Sequence, residues 1–170
     1  MNSVQKIWYA LYTKSRNEKR VALFLKEQEV EHYLPLIKKH RQWSDRKKIV
    51  EEPLFASYIF VHIYEKEHWQ ILKIPGVVKF ITFEGKKIPV RDLEIEAIRI
   101  YTENGEELIT NEADFSPGKQ VKVIRGQFKD IQGRLIQILG KQRVKIEIEA
   151  IGKSVYLKIP MSSLQIETNP

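Results

Sequence analysis

Two basic clusters, Lys38-Lys39-His40-Arg41 and Arg46-Lys47-Lys48, flank Trp43 and the pair Ser44-Asp45. Cations at that density can neutralise phosphates, and an indole among them can stack on a base. The same residues also read as a solvated loop. His32, His40, His62 and His68 stand at no metal-ligand spacing and read as structural or surface residues. No Gly-rich phosphate loop, Gly-x-Ser-x-Gly or His-Glu-x-x-His motif occurs, and no carboxylate pair is singled out by its context. With no cysteine, disulfides and thiolate metal sites are excluded. An enzyme reading has no residue to stand on, and neither a cofactor nor a metal is called for.

Those clusters sit in a chain of 170 residues with 29 basic and 22 acidic side chains, a formal net charge of +7. The excess favours a polyanion or an acidic protein as neighbour. No N-terminal apolar run resembles a signal peptide, and none approaches the roughly 20 residues of a membrane helix. The chain is read as soluble, cytoplasmic, monomeric and without membrane contact.

The elements that must position these residues follow from periodicity. Residues 6–13 read as a strand. Ser15 and Glu18 have capping-box spacing for a helix whose stripe is Val21, Phe24, Leu25 and Gln28. Residues 30–36 form a second strand, and Ser44-Asp45 is a candidate hairpin tip. Residues 54–63 read as one central strand, with Ile59, Val61 and Ile63 on one face and Tyr58, Phe60 and His62 on the other. A short helix over 65–73 turns Trp69 and Leu72 inward, and Pro75-Gly76 ends it. Strands over 77–83 and 86–90 flank the turn Glu84-Gly85. Asp92 caps a helix to about Tyr101, with Leu93, Ala97, Ile100 and Tyr101 on one side. The helix periodicities cover only the Ile59 face, which leaves the Tyr58 and Phe60 face either as a docking candidate or as further filling of the domain core.

The polar, acidic stretch after Tyr101 marks a flexible linker at 103–114. Beyond it, five short strands with glycine at their turns imply a small β-barrel over 115–170. The expected class is α+β: an α/β sandwich with an antiparallel-type sheet over 1–102, the linker, then the barrel.

Two stretches carry a resemblance. Residues 115–135, Phe-Ser-Pro-Gly-Lys-Gln-Val-Lys-Val-Ile-Arg-Gly-Gln-Phe-Lys-Asp-Ile-Gln-Gly-Arg-Leu, look like a KOW motif. Trp8-Tyr9, Glu18-Lys19, Pro35, Tyr58-Ile59-Phe60-Val61, Trp69 and Pro75-Gly76-Val77 resemble the NusG N-terminal domain. Together, in the family's order and over nearly the whole chain, they resemble the NusG/RfaH family of transcription elongation factors. The resemblance implies an SH3-like five-stranded barrel and a non-catalytic factor. It would bind the clamp helices of RNA polymerase, suppress pausing or termination, and raise processivity.

By that resemblance Tyr58 and Phe60 form the polymerase surface, with Tyr9, Leu11 and Leu36 at its edges and His68 and Trp69 at a second polymerase contact. Lys14, Arg16 and Arg20 would face non-template DNA. Arg46, Lys47 and Lys48 join them as nucleic-acid candidates. Phe128, Ile131, Ile151 and Lys153 would meet the partner of the KOW domain, for which a ribosomal protein is one candidate. The family's Pro-Gly-Tyr is Ala56-Ser57-Tyr58 here, its Gly-Pro-Phe is Gly126-Gln127-Phe128, and its Phe-Gly-Arg is Ile151-Gly152-Lys153. The last departure removes the aromatic that holds Rho or a ribosomal protein, and points to an operon-specific antiterminator of the surface-polysaccharide type. The family's housekeeping role and a ribosome- or RNA-associated KOW protein are the alternatives.

Overall fold

The computed structural model describes residues 5–103, 118–138 and 141–167. The chain divides into two compact units, Met1–Arg91 and Asp92–Pro170. The division falls before the third helix, whereas the sequence reading ends its first domain at residue 102. The expected linker lies, save for Glu103, outside the described residues.

In the first unit, β1 (Ile7–Thr13) pairs antiparallel with β5 (Tyr58–Ile63) and β6 (Val77–Phe80), and β2 (His32–Tyr33) extends β5, giving the order β2-β5-β1-β6. β9 (Pro89–Val90) also pairs with β1. β3 (Leu36–Gln42) and β4 (Lys47–Pro53) form a separate two-stranded sheet, as do β7 (Thr82–Phe83) and β8 (Lys86–Lys87). The first of these is the basic hairpin, its tip at Ser44-Asp45 closed by Trp43 N–H donating to the Arg46 carbonyl at 2.9 Å.

The interior strand is shorter than its composition suggests. Residues 54–57 leave the strand because Ser57 adopts a left-handed backbone, φ 67°. The alternation within β5 is as expected. Ile59, Val61 and Ile63 join Tyr9 and Leu11 of β1, Val21 and Leu25 of α1 (Glu18–Glu27), and Ile71 of α2 (His68–Leu72) in one core. Val21 and Leu25 are wholly buried, each contributing about 1.5–3 kcal/mol over an exposed position. Gly76 takes φ 98°, and a Cβ there would meet Val21 Cγ2 at 2.9 Å, so the turn after α2 can close on α1 only with glycine.

Two local expectations are corrected. The capping box is not made: the N-cap is Asn17, and Glu18 is buried with its Oε1 accepting the Ser57 N–H at 2.6 Å. Trp69 points outward and is 72 % exposed; Ile71 is the residue that α2 buries. With only five residues in α2, a shift of one or two positions reverses which side faces the sheet.

In the second unit, β10 (Gln120–Val123), β11 (Gln132–Ile138), β12 (Lys141–Ile148), β13 (Lys153–Leu157) and β14 (Leu164–Ile166) form one antiparallel sheet in the order β13-β12-β11-β10-β14. These are the five strands expected of the C-terminal region. Val121, Val123, Val144, Ile146, Ile148, Val155 and Leu157 are buried at alternate positions. α3 (Asp92–Glu103) lies against β12 and β13, with Ile95, Ala97, Ile98 and Tyr101 buried.

Candidate functional site

The register of β1 on β5 decides which residues can share a surface. Tyr58 lies opposite Tyr12, Phe60 opposite Ala10, and His62 opposite Trp8. Tyr33 of β2 lies opposite Phe60 from the other side. The aromatic face is therefore built from Trp8, Tyr12, Tyr33, Tyr58, Phe60 and His62. Tyr9 and Leu11 face the helix-covered core beside Val61 and Ile59. Their expected place at the edge of the Tyr58 and Phe60 surface is corrected: one residue of parity puts them through the sheet. Leu36 is half-buried at the foot of the hairpin, opposite Pro53.

The face is graded in exposure. Phe60 is fully buried, its ring between Tyr33 at 6.5 Å and Phe55 at 6.4 Å. Tyr58 is half-buried, and Tyr12 is 37 % exposed, their rings edge-to-face at 5.5 Å. His62 stacks on Trp8 and directs Nδ1 at Glu31 Oε2, 2.8 Å away. Burial alone would raise the Glu31 carboxyl, but His62 and then Lys6 hold it below the usual carboxylate range.

A second polar group gathers at the start of α2. The Lys87 ammonium meets Glu65 Oε1 at 2.6 Å and His68 Nδ1 at 3.2 Å, and lies 5.1 Å from the ring centroids of Tyr9 and Phe80. His68 stacks on Phe80 at 4.7 Å. Burial, then the Lys87 charge, lowers the His68 pKa against the opposing pull of Glu65. Hydrogen bonding from Lys87 lowers Glu65, and burial followed by Glu65 raises Tyr9. Of the two sequence candidates here, His68 is locked into this cluster while Trp69 is open to solvent.

The basic candidates spread over several elements. Lys14, Arg16 and Arg20 are exposed around the start of α1, Arg16 with a left-handed φ of 61°. The Arg20 guanidinium sits 5.6 Å over Phe24. Arg46, Lys47 and Lys48 are exposed at the start of β4. The fold brings Arg16 to a groove shared with Lys19, Lys39, Arg41 and Trp43, whereas Lys14 and Arg20 do not line it. Lys19 ties the two walls together by donating to the Glu51 carbonyl at 2.7 Å. Lys19 is new to this set; the helix-to-hairpin contact that joins it to Lys39 and Arg41 of the basic cluster has no local signal.

In the second unit, Phe128, Ile131 and Ile151 are buried, and Lys153 is exposed. Ile151 ends a short 3-10 turn that Gly152 closes in the left-handed conformation. Among the described residues, no group of three or more His, Asp or Glu side chains could hold a metal ion, and no helix is long and apolar enough to cross a membrane.

Comparison with known proteins places this geometry. Residues 6–99 match the family model for transcription termination factor nusG. The transcription termination/antitermination protein NusG of Haemophilus influenzae is 24% identical over 174 residues, covering 95% of this chain and 94% of its own. The protein of the same name from Bacillus subtilis is 26% identical over 175 residues, covering 95% and 98%. A solved structure described as domain interaction in Thermotoga maritima NusG is similar in fold, with a TM-score of 0.52 at 24% identity over 95% of this chain and 97% of that one. With the matched segment spanning more than half of the chain, from β1 into α3, this protein belongs to the NusG family of transcription termination/antitermination factors.

Proposed function

We propose that the chain is a non-catalytic transcription elongation and antitermination factor that docks on the clamp helices of RNA polymerase. The observation that carries the docking reading is the aromatic face of β5 and β1, formed on the side of the sheet that α1 and α2 leave. Transient interfaces concentrate aromatic residues at their centre. Tyr58 and Tyr12 supply the accessible rings, with Phe60 as the buried support beneath them. Leu36 borders the surface, and His68 with Trp69 makes a second polymerase contact. Lys14, Arg16 and Arg20 approach non-template DNA, with Arg46, Lys47 and Lys48 of the hairpin.

The family match running to residue 99 supports counting α3 with a polymerase-binding domain over 1–102, joined through 103–114 to a KOW domain over 115–170. Ile151-Gly152-Lys153, where the family carries an aromatic, supports an operon-specific role over a housekeeping one. Phe128, Ile131, Ile151 and Lys153 form the candidate site for a ribosomal protein. The factor acts in the cytoplasm as a monomer.

The test is capture of core RNA polymerase on the full chain. Tyr12→Ala with Tyr58→Ala abolishes capture, while Leu23→Ala, 61 % exposed on α1, retains it. Normal capture by the double variant would place the docking surface elsewhere.

A further inference from the structure

Ser57 immediately precedes Tyr58, the first residue of β5, and carries a left-handed backbone, φ 67°. A non-glycine residue keeps such a conformation only where its surroundings fix it. Here both of its backbone polar groups are held. Its N–H donates to Glu18 Oε1 at 2.6 Å, and its carbonyl accepts the Thr13 N–H at 2.8 Å. One residue on, the Tyr58 N–H donates to the Phe55 carbonyl at 3.2 Å. Glu18 and Thr13 are buried, where water competes little for either bond.

The two partners reach Ser57 from different elements. Thr13 ends β1 and follows Tyr12, which lies opposite Tyr58. Glu18 opens α1, on the other side of the sheet from the Tyr58 ring. The Thr13 bond is made by backbone and holds whatever the side chain. The Glu18 bond depends on one carboxylate. Regular pairing of β1 with β6 is interrupted between Tyr12 and Thr13, so the ladder alone does not fix the direction of this end of the face. Without the carboxylate, the half-buried Ser57 N–H loses its acceptor and the backbone loses the restraint that keeps φ positive. Rotation at Ser57 re-aims the first side chain of the strand, which is Tyr58. Its ring now sits edge-to-face on Tyr12 at 5.5 Å, inside the range where such pairs attract. These are the two accessible rings of the docking face.

We infer that Glu18 is a positioning residue for the polymerase-docking face: from within α1 it holds the Ser57 turn and thereby sets the Tyr58 ring against Tyr12. The inference rests on the docking reading of that face and adds to it a residue that is not itself on the face. It gives the buried carboxylate a purpose in binding besides its part in the fold.

The test uses the full chain and two readouts. The ring contact is read without polymerase, as the nuclear Overhauser effect between the Tyr12 and Tyr58 ring protons in tyrosine-labelled protein. Docking is read as the Kd for core RNA polymerase, at a temperature where circular dichroism of each variant is that of the parent. Glu18→Ala loses the ring contact and weakens docking roughly three- to thirtyfold, up to the loss of an aromatic hot spot. Glu18→Gln keeps a carbonyl acceptor at the same reach and restores both. Ile63→Val opens a small cavity at the far end of β5, lowers the thermal midpoint, and leaves both readouts at the parent values. If Glu18→Ala does not fold, Glu18→Asp, one methylene short of Ser57, shows the same two losses in smaller measure. The parent's ring contact and affinity in the folded Glu18→Ala or Glu18→Asp chain, or equal losses in Ile63→Val, would overturn the inference. A parent that shows the ring contact and does not bind polymerase overturns the docking reading instead, and the ring contact of the Glu18 variants still decides what Glu18 positions.

Discussion

Glu18 and Ser57 are 39 residues apart in sequence, yet the Glu18 carboxylate accepts the Ser57 backbone N–H at 2.6 Å from a buried position. The bond holds the turn that enters β5 against the first turn of α1. It also meets an N–H whose residue sits at φ 67°, a conformation costing a non-glycine residue about 1–2 kcal/mol. Glu18→Ala strands that donor and should cost about 1–3 kcal/mol in urea unfolding. Ser57→Gly keeps the N–H and relieves the backbone, and should gain up to about 1 kcal/mol. An unchanged midpoint for Glu18→Ala would show the bond to be dispensable.

Acid should lower the stability of the first unit over two separate pH windows. His68 has a folded-state pKa below its ordinary value of about 6.5, because burial and Lys87 both oppose its charge. As pH falls through about 6.5, the unfolded chain takes up this proton before the folded one, so stability drops until pH passes the folded pKa. Above about 6.5 the group contributes no slope. Glu65, lowered chiefly by its hydrogen bond from Lys87, acts later: its stabilisation is complete above the ordinary carboxylate value of about 4.3 and is lost as pH falls from there through the lower folded-state pKa. Urea midpoints measured between about pH 7.5 and 2 should show the upper loss vanish in His68→Phe and the lower loss persist. Tyr9, the other titratable group against Lys87, stays protonated throughout this window because burial raises it.

How far the sequence reveals this fold depends on the range of the contact involved. The alternation of Ile59, Val61 and Ile63 against Tyr58 and Phe60 is a two-residue period, legible within one strand. The hairpin tip at Ser44-Asp45 and the five C-terminal strands carry local turn signals. The parity of β1 against β5 has no such signal. Trp8, Ala10 and Tyr12 could face either way until the pairing of Phe60 with Ala10 sets them. For the same reason Tyr9 and Leu11 read as surface candidates and are core. Glu18 has the spacing of a cap but accepts instead from a donor far along the chain, the half-buried Ser57 N–H, and the helix makes no side-chain cap bond. The groove at Trp43 was half legible: its hairpin wall is contiguous in sequence, and its helix wall is not.

Gly133 marks a close approach between β11 and β12 in the second unit's sheet. A Cβ there would lie 2.6 Å from the Lys145 carbonyl oxygen and 2.7 Å from Val144 Cγ1. Backbone on the facing strand cannot swing aside as a side-chain tip can. Gly133→Ala should therefore destabilise the second unit by about 1–3 kcal/mol, read as lost amide protection in β11 and β12 while β1 and β5 keep theirs. Wild-type protection across β11 would contradict the close approach.

Phe60 and Tyr58 alternate on one strand, so removing either ring changes the same face, but for different reasons. Phe60 is fully buried, and Phe60→Ala should cost about 3–5 kcal/mol of folding free energy through the cavity it leaves between Tyr33 and Phe55. Any loss of polymerase capture in that variant then reports unfolding as much as docking. Tyr58 is half-buried beside the exposed edge of Tyr12. Tyr58→Ala should cost less stability and more binding: a thermal midpoint lowered by a few degrees, with capture reduced at least tenfold, as for an aromatic hot spot worth about 2 kcal/mol or more. Phe60→Leu separates the two effects, since it keeps apolar volume beneath Tyr58 and should retain capture. If Phe60→Leu loses capture with its fold intact while Tyr58→Ala keeps it, then Phe60 becomes exposed on binding and is the residue that docks.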